Sequence, residues 1–155
     1  MKKNRNRILI LEDDKEFKNV LIKFFSIDGI QTLCTETIEE AIKVYNENID
    51  NIKLFLIDLW ILKGNGMEFL KFVRNYKHPL SKNIPAILMS CVITPDVKKA
   101  GEQLGIISYF EKPIDLNELQ KVVSMALEKP DSSYKNYDFE IVNNNEKNML
   151  NGKEL

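Results

Sequence analysis

The feature that most restricts this chain is an alternation. Five short apolar runs, Ile8–Leu11, Ile30–Cys34, Leu54–Ile57, Ala86–Met89 and Ile106–Phe110, are separated by segments with helical spacing. Each run has the length and the β-branched or aromatic content of a strand. Between the first two, Phe17, Val20, Leu21, Phe24 and Phe25 recur at i, i+3, i+4, i+7 and i+8, one face of a helix. Thr37 with Glu40 reads as a capping box, followed by Ile38, Ala41, Ile42 and Tyr45 on one face. Phe69, Leu70 and Val73 follow Gly66. Thr94-Pro95 reads as an N-cap with proline at the first helical position, before Val97, Ala100 and Leu104. Gly105 stops that helix. Asp115 with Glu118 opens a last helix carrying Leu116, Leu119, Val123, Ala126 and Leu127. Strand and helix in alternation, five times over, predict an α/β fold: a doubly wound five-stranded parallel sheet with helices on both faces.

Right-handed crossovers and short loops leave few topologies, and the flavodoxin-like strand order 2-1-3-4-5 is the one expected. The chain has 155 residues, 44% hydrophobic and 29% charged, which suits one domain with a true core. A net charge of -1 gives no electrostatic case for nucleic acid or an anionic membrane. The start, "MKKNRNRILIL", is basic and then apolar, but the apolar run ends at Glu12-Asp13-Asp14, too soon for a signal peptide. No run approaches a membrane span, so a cytoplasmic protein is expected. Cys34 and Cys91 lack metal-type spacing and read as two reduced, semi-buried thiols. After Lys129-Pro130 the chain turns polar and Asn-rich. Residues 1–129 are therefore expected to form the domain. Residues 130–155 are expected to be a flexible or peripherally packed extension with no output domain, "YDFEIV" being its one candidate strand.

Ligands of a doubly wound sheet sit beyond the carboxyl ends of its strands. After the first run comes Glu12-Asp13-Asp14, after the third Asp58, after the fourth Ser90, after the fifth Lys112-Pro113. Asp14 reads as the N-cap of the first helix. The other acids form a cluster, and "LFLIDLW" buries one of them, Asp58, in an apolar context where a carboxylate needs a partner. Clustered carboxylates are tolerated around a hard divalent cation such as Mg²⁺, which takes oxygen ligands. Asp58 can act as a nucleophile towards phosphorus. A lysine holds a phosphoryl oxygen as a point charge, and a serine hydroxyl can donate to another.

In these residues the chain resembles the response-regulator receiver domains of two-component signalling, the family that includes chemotaxis receivers. The resemblance runs from Arg7 to about Leu127. "ILILEDD" resembles the first-strand motif with its acidic pair, Glu12 and Asp13. "LFLIDL" followed by "GNG" resembles the phospho-acceptor strand and its loop. "AILMS" places Ser90 at the Ser/Thr position. "SYFEKP" places Tyr109 at the aromatic switch position, Lys112 at the lysine position and Pro113 at a position the family usually holds in cis. The resemblance implies phosphoryl transfer from a sensor histidine kinase or phosphotransfer protein to Asp58. It implies Mg²⁺ (or Mn²⁺) held by Asp13, Asp58 and the main-chain carbonyl of Trp60, with Glu12 acting largely through water. It further implies that phosphorylation draws Ser90 inward, repacks Tyr109 and alters the face made by the fourth helix, fifth strand and fifth helix. That face would meet a downstream protein or a second copy. Such a domain catalyses only its own phosphorylation and dephosphorylation.

The chain departs from the family pattern in places. Leu62 stands where proline is usual. Trp60 and Val92, two residues after Asp58 and Ser90, occupy positions that in the family influence how water reaches the phosphoryl group. A bulky aromatic and an apolar residue there imply an aspartyl phosphate longer-lived than in fast chemotaxis-type receivers. Cys91 fits its small-residue position by size. His78 reads as a surface residue of the polar loop "YKHPLSKN", and Lys98 and Lys99 as a solvated helix face or the border of a partner surface. Two other functions compete. A pseudo-receiver would serve as a phosphorylation-independent binding scaffold, but such domains typically lack one member of the acid, Ser and Lys set. A haloacid-dehalogenase-type hydrolase would want an aspartate where Trp60 stands.

Overall fold

A computed structural model describes residues 7–76, 78–79 and 81–128. The expected extension over 130–155 and the basic start lie outside the described residues. Five parallel strands form the main sheet: β1 (Arg7–Leu11), β2 (Gln31–Thr35), β3 (Ile52–Asp58), β6 (Ala86–Ser90) and β7 (Ile106–Glu111). Their spatial order, β2-β1-β3-β6-β7, is the expected 2-1-3-4-5 with a small hairpin counted between. That hairpin, β4 (Trp60–Ile61) and β5 (Gly64–Asn65), pairs antiparallel through Trp60 with Asn65 and Ile61 with Gly64. Five helices alternate with the strands: α1 (Lys15–Ile27), α2 (Ile38–Asn48), α3 (Met67–Asn75), α4 (Pro95–Gln103) and α5 (Leu116–Glu128).

The two-residue period of the strands divides the interior into two cores. Leu9, Leu11, Phe55, Ile57, Leu88 and Tyr109 pack with α2 and α3 residues such as Ala41, Tyr45, Phe69 and Leu70. Ile8, Ile10, Leu54, Leu56, Ile87, Met89 and Phe110 pack with Leu21, Phe25, Leu119 and Val123 of α1 and α5. Both faces of the central strands are covered, which is why these strands read as continuous apolar runs rather than alternating ones.

Side-chain caps define the helix starts. Asp14 accepts from the Phe17 N–H at 3.1 Å, Thr37 from the Glu40 N–H at 3.1 Å, Thr94 from the Val97 N–H at 3.3 Å, and Asp115 from the N–H groups of Asn117 and Glu118. At α2 the reciprocal bond of the box goes one residue early, from the Glu36 N–H to Glu40 Oε2. The fourth helix stops as expected, at Leu104-Gly105.

Two expectations need correcting. Val20 is exposed, because α1 buries its stripe chiefly through Leu21 and Phe25, and Val20 lies at the stripe's edge. Cys91 is exposed rather than semi-buried, because it follows the last residue of β6, where the chain leaves the sheet; Cys34 is half-buried. His78 is half-buried with its Nε2 3.8 Å from Asp50 Oδ1. Across the molecule, Arg74 of α3 donates from Nε to the Leu104 carbonyl at 2.8 Å and from Nη1 to the Ser81 carbonyl at 2.9 Å. This ties α3 to the end of α4. Among the described residues no helix is long and apolar enough to cross a membrane.

Candidate functional site

The parallel sheet delivers the ends of β1, β3, β6 and β7 to one edge. Glu12 and Asp13 follow β1, Asp58 ends β3, Ser90 ends β6, and Lys112 follows β7. Glu12 and Asp58 continue the same parity as Ile8, Ile10, Leu54 and Leu56, so both fall on the α1/α5 side of the sheet.

There they share one cation. Lys112 Nζ donates to Glu12 Oε2 at 2.8 Å and to Asp58 Oδ2 at 2.9 Å. The Phe17 ring, from the first turn of α1, lies with its centroid 5.0 Å from the ammonium, a cation–π contact. The main chain of Lys112 is pinned as well, its N–H donating to the Ser90 carbonyl at 2.8 Å. The Lys112–Pro113 peptide is cis, as the resemblance implied.

Glu12 is fully buried. Burial, helped by the negative charge of Asp58, outweighs the hydrogen bond from Lys112 and lifts its carboxyl to about 7. For Lys112 burial opposes the charge, but the bonds and attraction to Glu12 and Asp58 prevail and raise its pKa above the ordinary lysine value. The ammonium is therefore the fixed charge of the site.

The loop after Asp58 closes over the acids. The Trp60 N–H donates to Asp58 Oδ1 at 3.2 Å, and the Leu62 N–H donates to Asp13 Oδ2 at 2.6 Å. Gly66 lets the loop return under the strand end. A Cβ there would stand 2.1 Å from the Asp58 carbonyl oxygen and 2.6 Å from Ile57 Cγ2. The indole of Trp60 is 63% exposed.

Glu12, Asp13 and Asp58 each offer a carboxylate oxygen, all within 4.8 Å of one another. Three hard oxygen donors against a single ammonium fit a divalent cation such as Mg²⁺ or Mn²⁺. Ser90 lies at the site as expected and is buried. Its hydroxyl, however, is turned onto its own loop, donating to the Val92 carbonyl at 2.9 Å and accepting from the Val92 N–H at 3.3 Å. Tyr109 faces inward with its hydroxyl bonded, not solvated: it donates to the Lys98 carbonyl at 3.1 Å. It sits in a notch left by Gly101, where a Cβ would stand 2.1 Å from the phenolic oxygen.

Three features are not legible in the sequence. Phe17 belongs there to the helix core stripe, and nothing local links it to Lys112. Leu62 stands out only as a residue other than proline, which says nothing of what its N–H meets. Gly101 carries one signal, the cost of a glycine in a helix interior, which does not name the ring that fills its notch.

Comparisons with known proteins agree. The response regulator receiver domain family matches residues 8–124. The chain is 26% identical over 121 residues to sporulation initiation phosphotransferase F of Bacillus subtilis, covering 78% of this chain and 93% of that protein. It is 27% identical over 114 residues to the transcriptional regulatory protein CpxR of Escherichia coli, covering 74% of this chain and 46% of that one. With the regulatory protein AtoC, also of Escherichia coli, it shares 27% identity over 123 residues, which is 79% of this chain but 25% of AtoC. The chain thus spans from a quarter to just under half the length of these two regulators. Among solved structures, the non-phosphorylated HemR receiver domain from Leptospira biflexa superposes with a TM-score of 0.74 at 23% identity, over 84% of this chain and 100% of that one. The Francisella response regulator 1452 receiver domain gives a TM-score of 0.69 at 26% identity, over 80% and 98%. With strand order, acid cluster and lysine bridge in place, a match across residues 8–124 makes this chain a member of the response regulator receiver domain family of two-component signalling.

Proposed function

We propose that this domain accepts a phosphoryl group on Asp58 from a phosphohistidine of a sensor histidine kinase or phosphotransfer protein. The supporting observation is the arrangement around Asp58: Lys112 bridges it to Glu12, and Asp13 offers a carboxylate oxygen within 4.8 Å of one from each of those two acids. A carboxylate oxygen of Asp58 attacks phosphorus, a P–O bond forms, and the P–N bond to the imidazole breaks. The imidazole nitrogen keeps the electron pair and takes its proton from solvent. Asp13, Asp58 and the Trp60 carbonyl, with Glu12 through water, would hold Mg²⁺ (or Mn²⁺), whose positive charge would offset the negative charge of the transferring group. Lys112 Nζ turns from carboxylate to phosphoryl oxygen without leaving the site. Ser90 releases Val92 and donates to a second phosphoryl oxygen. Tyr109 then repacks, and the face made by α4, β7 and α5 changes for a downstream protein or a second copy. The domain acts on its own aspartate alone, in the cytoplasm, without contacting nucleic acid or membrane itself. The complete acid, serine and lysine set favours this reading over a pseudo-receiver.

The test is intact mass after incubation with a small phosphodonor and Mg²⁺. One phosphoryl adduct in the wild type and none in Asp58→Asn is the expected outcome. A folded wild type that never carries an adduct would sink the proposal.

A further inference from the structure

The first turn of α1 and Lys112 close a circuit. Lys112 Nζ donates to Glu12 Oε2 at 2.8 Å. The other oxygen of Glu12, Oε1, accepts from the Asp14 N–H at 3.1 Å. Asp14 Oδ1 accepts in turn from the Phe17 N–H at 3.1 Å, as the cap of the helix. The Phe17 ring then lies over the ammonium, its centroid 5.0 Å from Nζ. One residue, Asp14, therefore fixes both the backbone that carries the ring and the carboxylate that shares the lysine.

Two sides of the ammonium face oxygen, Glu12 Oε2 and Asp58 Oδ2, and the ring takes another. A ring face attracts a cation through its quadrupole and does not claim an N–H as a third carboxylate would. It holds the charge and leaves the N–H groups to oxygen. The side chain of Lys112 is 21% exposed, so it has a way out to water. Phe17 is half-buried and packs against the α1/α5 core, which makes its ring a fixed wall. A leucine there would fill the same core but present no π face.

The geometry points to Phe17 as a positioning residue for phosphoryl transfer: its ring keeps the Lys112 ammonium turned towards Asp58 while Nζ exchanges carboxylate for phosphoryl oxygen. This deepens the acceptor reading above and rests on it. The contribution is one of rate. The acids, Lys112 and a cation suffice for the transfer itself, and the ring raises the share of time that the charge is in place.

The experiment compares the full chain as wild type, Phe17→Leu and Phe17→Tyr, with thermal melts to report folding. Intact mass over time, with acetyl phosphate and saturating Mg²⁺, gives the rate of adduct formation. Proton NMR locates the ε-methylene and ammonium signals of Lys112, which a ring face shifts upfield. Phe17→Leu is expected to take up the phosphoryl group about three- to tenfold more slowly, and to lose the upfield shift. Phe17→Tyr, which keeps the face, is expected to retain both rate and shift. An unchanged rate in Phe17→Leu overturns the inference. So does equal slowing in the two variants, since Phe17 would then act through core packing. If Phe17→Leu does not fold, the wild-type spectrum decides: an upfield Lys112 supports the hold, and an unshifted one overturns it. A folded wild type that never takes an adduct overturns the acceptor reading instead, a result distinct from all of these.

Discussion

Replacing Gly101 by alanine should reverse the ordinary effect of that change in a helix. In an open helix interior Gly→Ala stabilises by about 0.5–1 kcal/mol. Here the new methyl would stand 2.1 Å from the Tyr109 hydroxyl, 3.0 Å from its Cζ and 2.9 Å from Ile106 Cδ1. Backbone on both sides fixes the methyl, so the ring must leave. Tyr109 is 7% exposed, and returning an aromatic of that kind to water costs about 1.5–3 kcal/mol. Losing its bond to the Lys98 carbonyl costs about 1 kcal/mol more. Set against the helix gain, the net is about 2–3 kcal/mol of destabilisation, or roughly 10 °C in melting temperature for a domain of this size. Denaturant unfolding of Gly101→Ala measures it directly. In a Tyr109→Ala background the clash is gone, and the same substitution should stabilise by about 0.5–1 kcal/mol. A second signal is the phenol itself. Burial, and then the charge of Glu102, push Tyr109 up to about 12. Spectrophotometric titration should show one tyrosine returning towards its ordinary value in Gly101→Ala. A neutral or stabilising Gly101→Ala in the wild-type background would refute the reasoning, because the ring would then not depend on the notch.

Other outcomes follow from the same contacts. Glu12 is raised from 4.5 to about 7, so between those values the native state holds a proton the unfolded state has released. Stability in chelator should therefore fall as pH rises through that window, and Glu12→Gln should remove the slope from the denaturation midpoints; a slope that survives belongs to other groups. Trp60→Asn should shorten the life of the aspartyl phosphate several-fold by admitting and orienting water, and an unchanged decay of the phosphoryl adduct would remove that idea. Arg74→Ala leaves the carbonyls of Leu104 and Ser81 without their donor and should cost about 2–4 kcal/mol of unfolding free energy. Arg74→Lys should recover less than half of it, because a lysine cannot reproduce the planar fork.

The fold was legible because its signals are periodic. Strands of five to seven residues and helices of nine to thirteen leave enough repeats to read, and Asp14, Thr37, Thr94 and Asp115 mark the starts chemically. The two-residue strands Trp60–Ile61 and Gly64–Asn65 have no period to detect. Val20 carried the right chemistry at the right spacing but at the rim of its stripe, where the neighbouring element stops covering it. At the site, the positions of Glu12, Asp13, Asp58, Ser90 and Lys112 followed from topology. What Ser90 bonds did not, since a hydroxyl rotor answers to its loop. The Phe17 contact with Lys112 depends on how α1 lies across the sheet, and the Leu62 contact on a main-chain group that every residue but proline possesses.

The division of the interior into two cores has a consequence for how this chain can drift. Within Ile8–Glu12 and Leu54–Asp58, odd positions address one face and even positions the other, and Glu12 and Asp58 inherit the even address that points them at Lys112. A single inserted or deleted residue inside either run would exchange its two cores and also send its carboxylate to the face opposite the lysine. The register irregularity in the β1–β3 pairing falls between Arg7 and Ile8, just before the run begins, where a change in length can be absorbed. Loop lengths are thus free to vary over generations, whereas these two short stretches behave like a reading frame: substitutions inside them are spelling, and any shift is a different message.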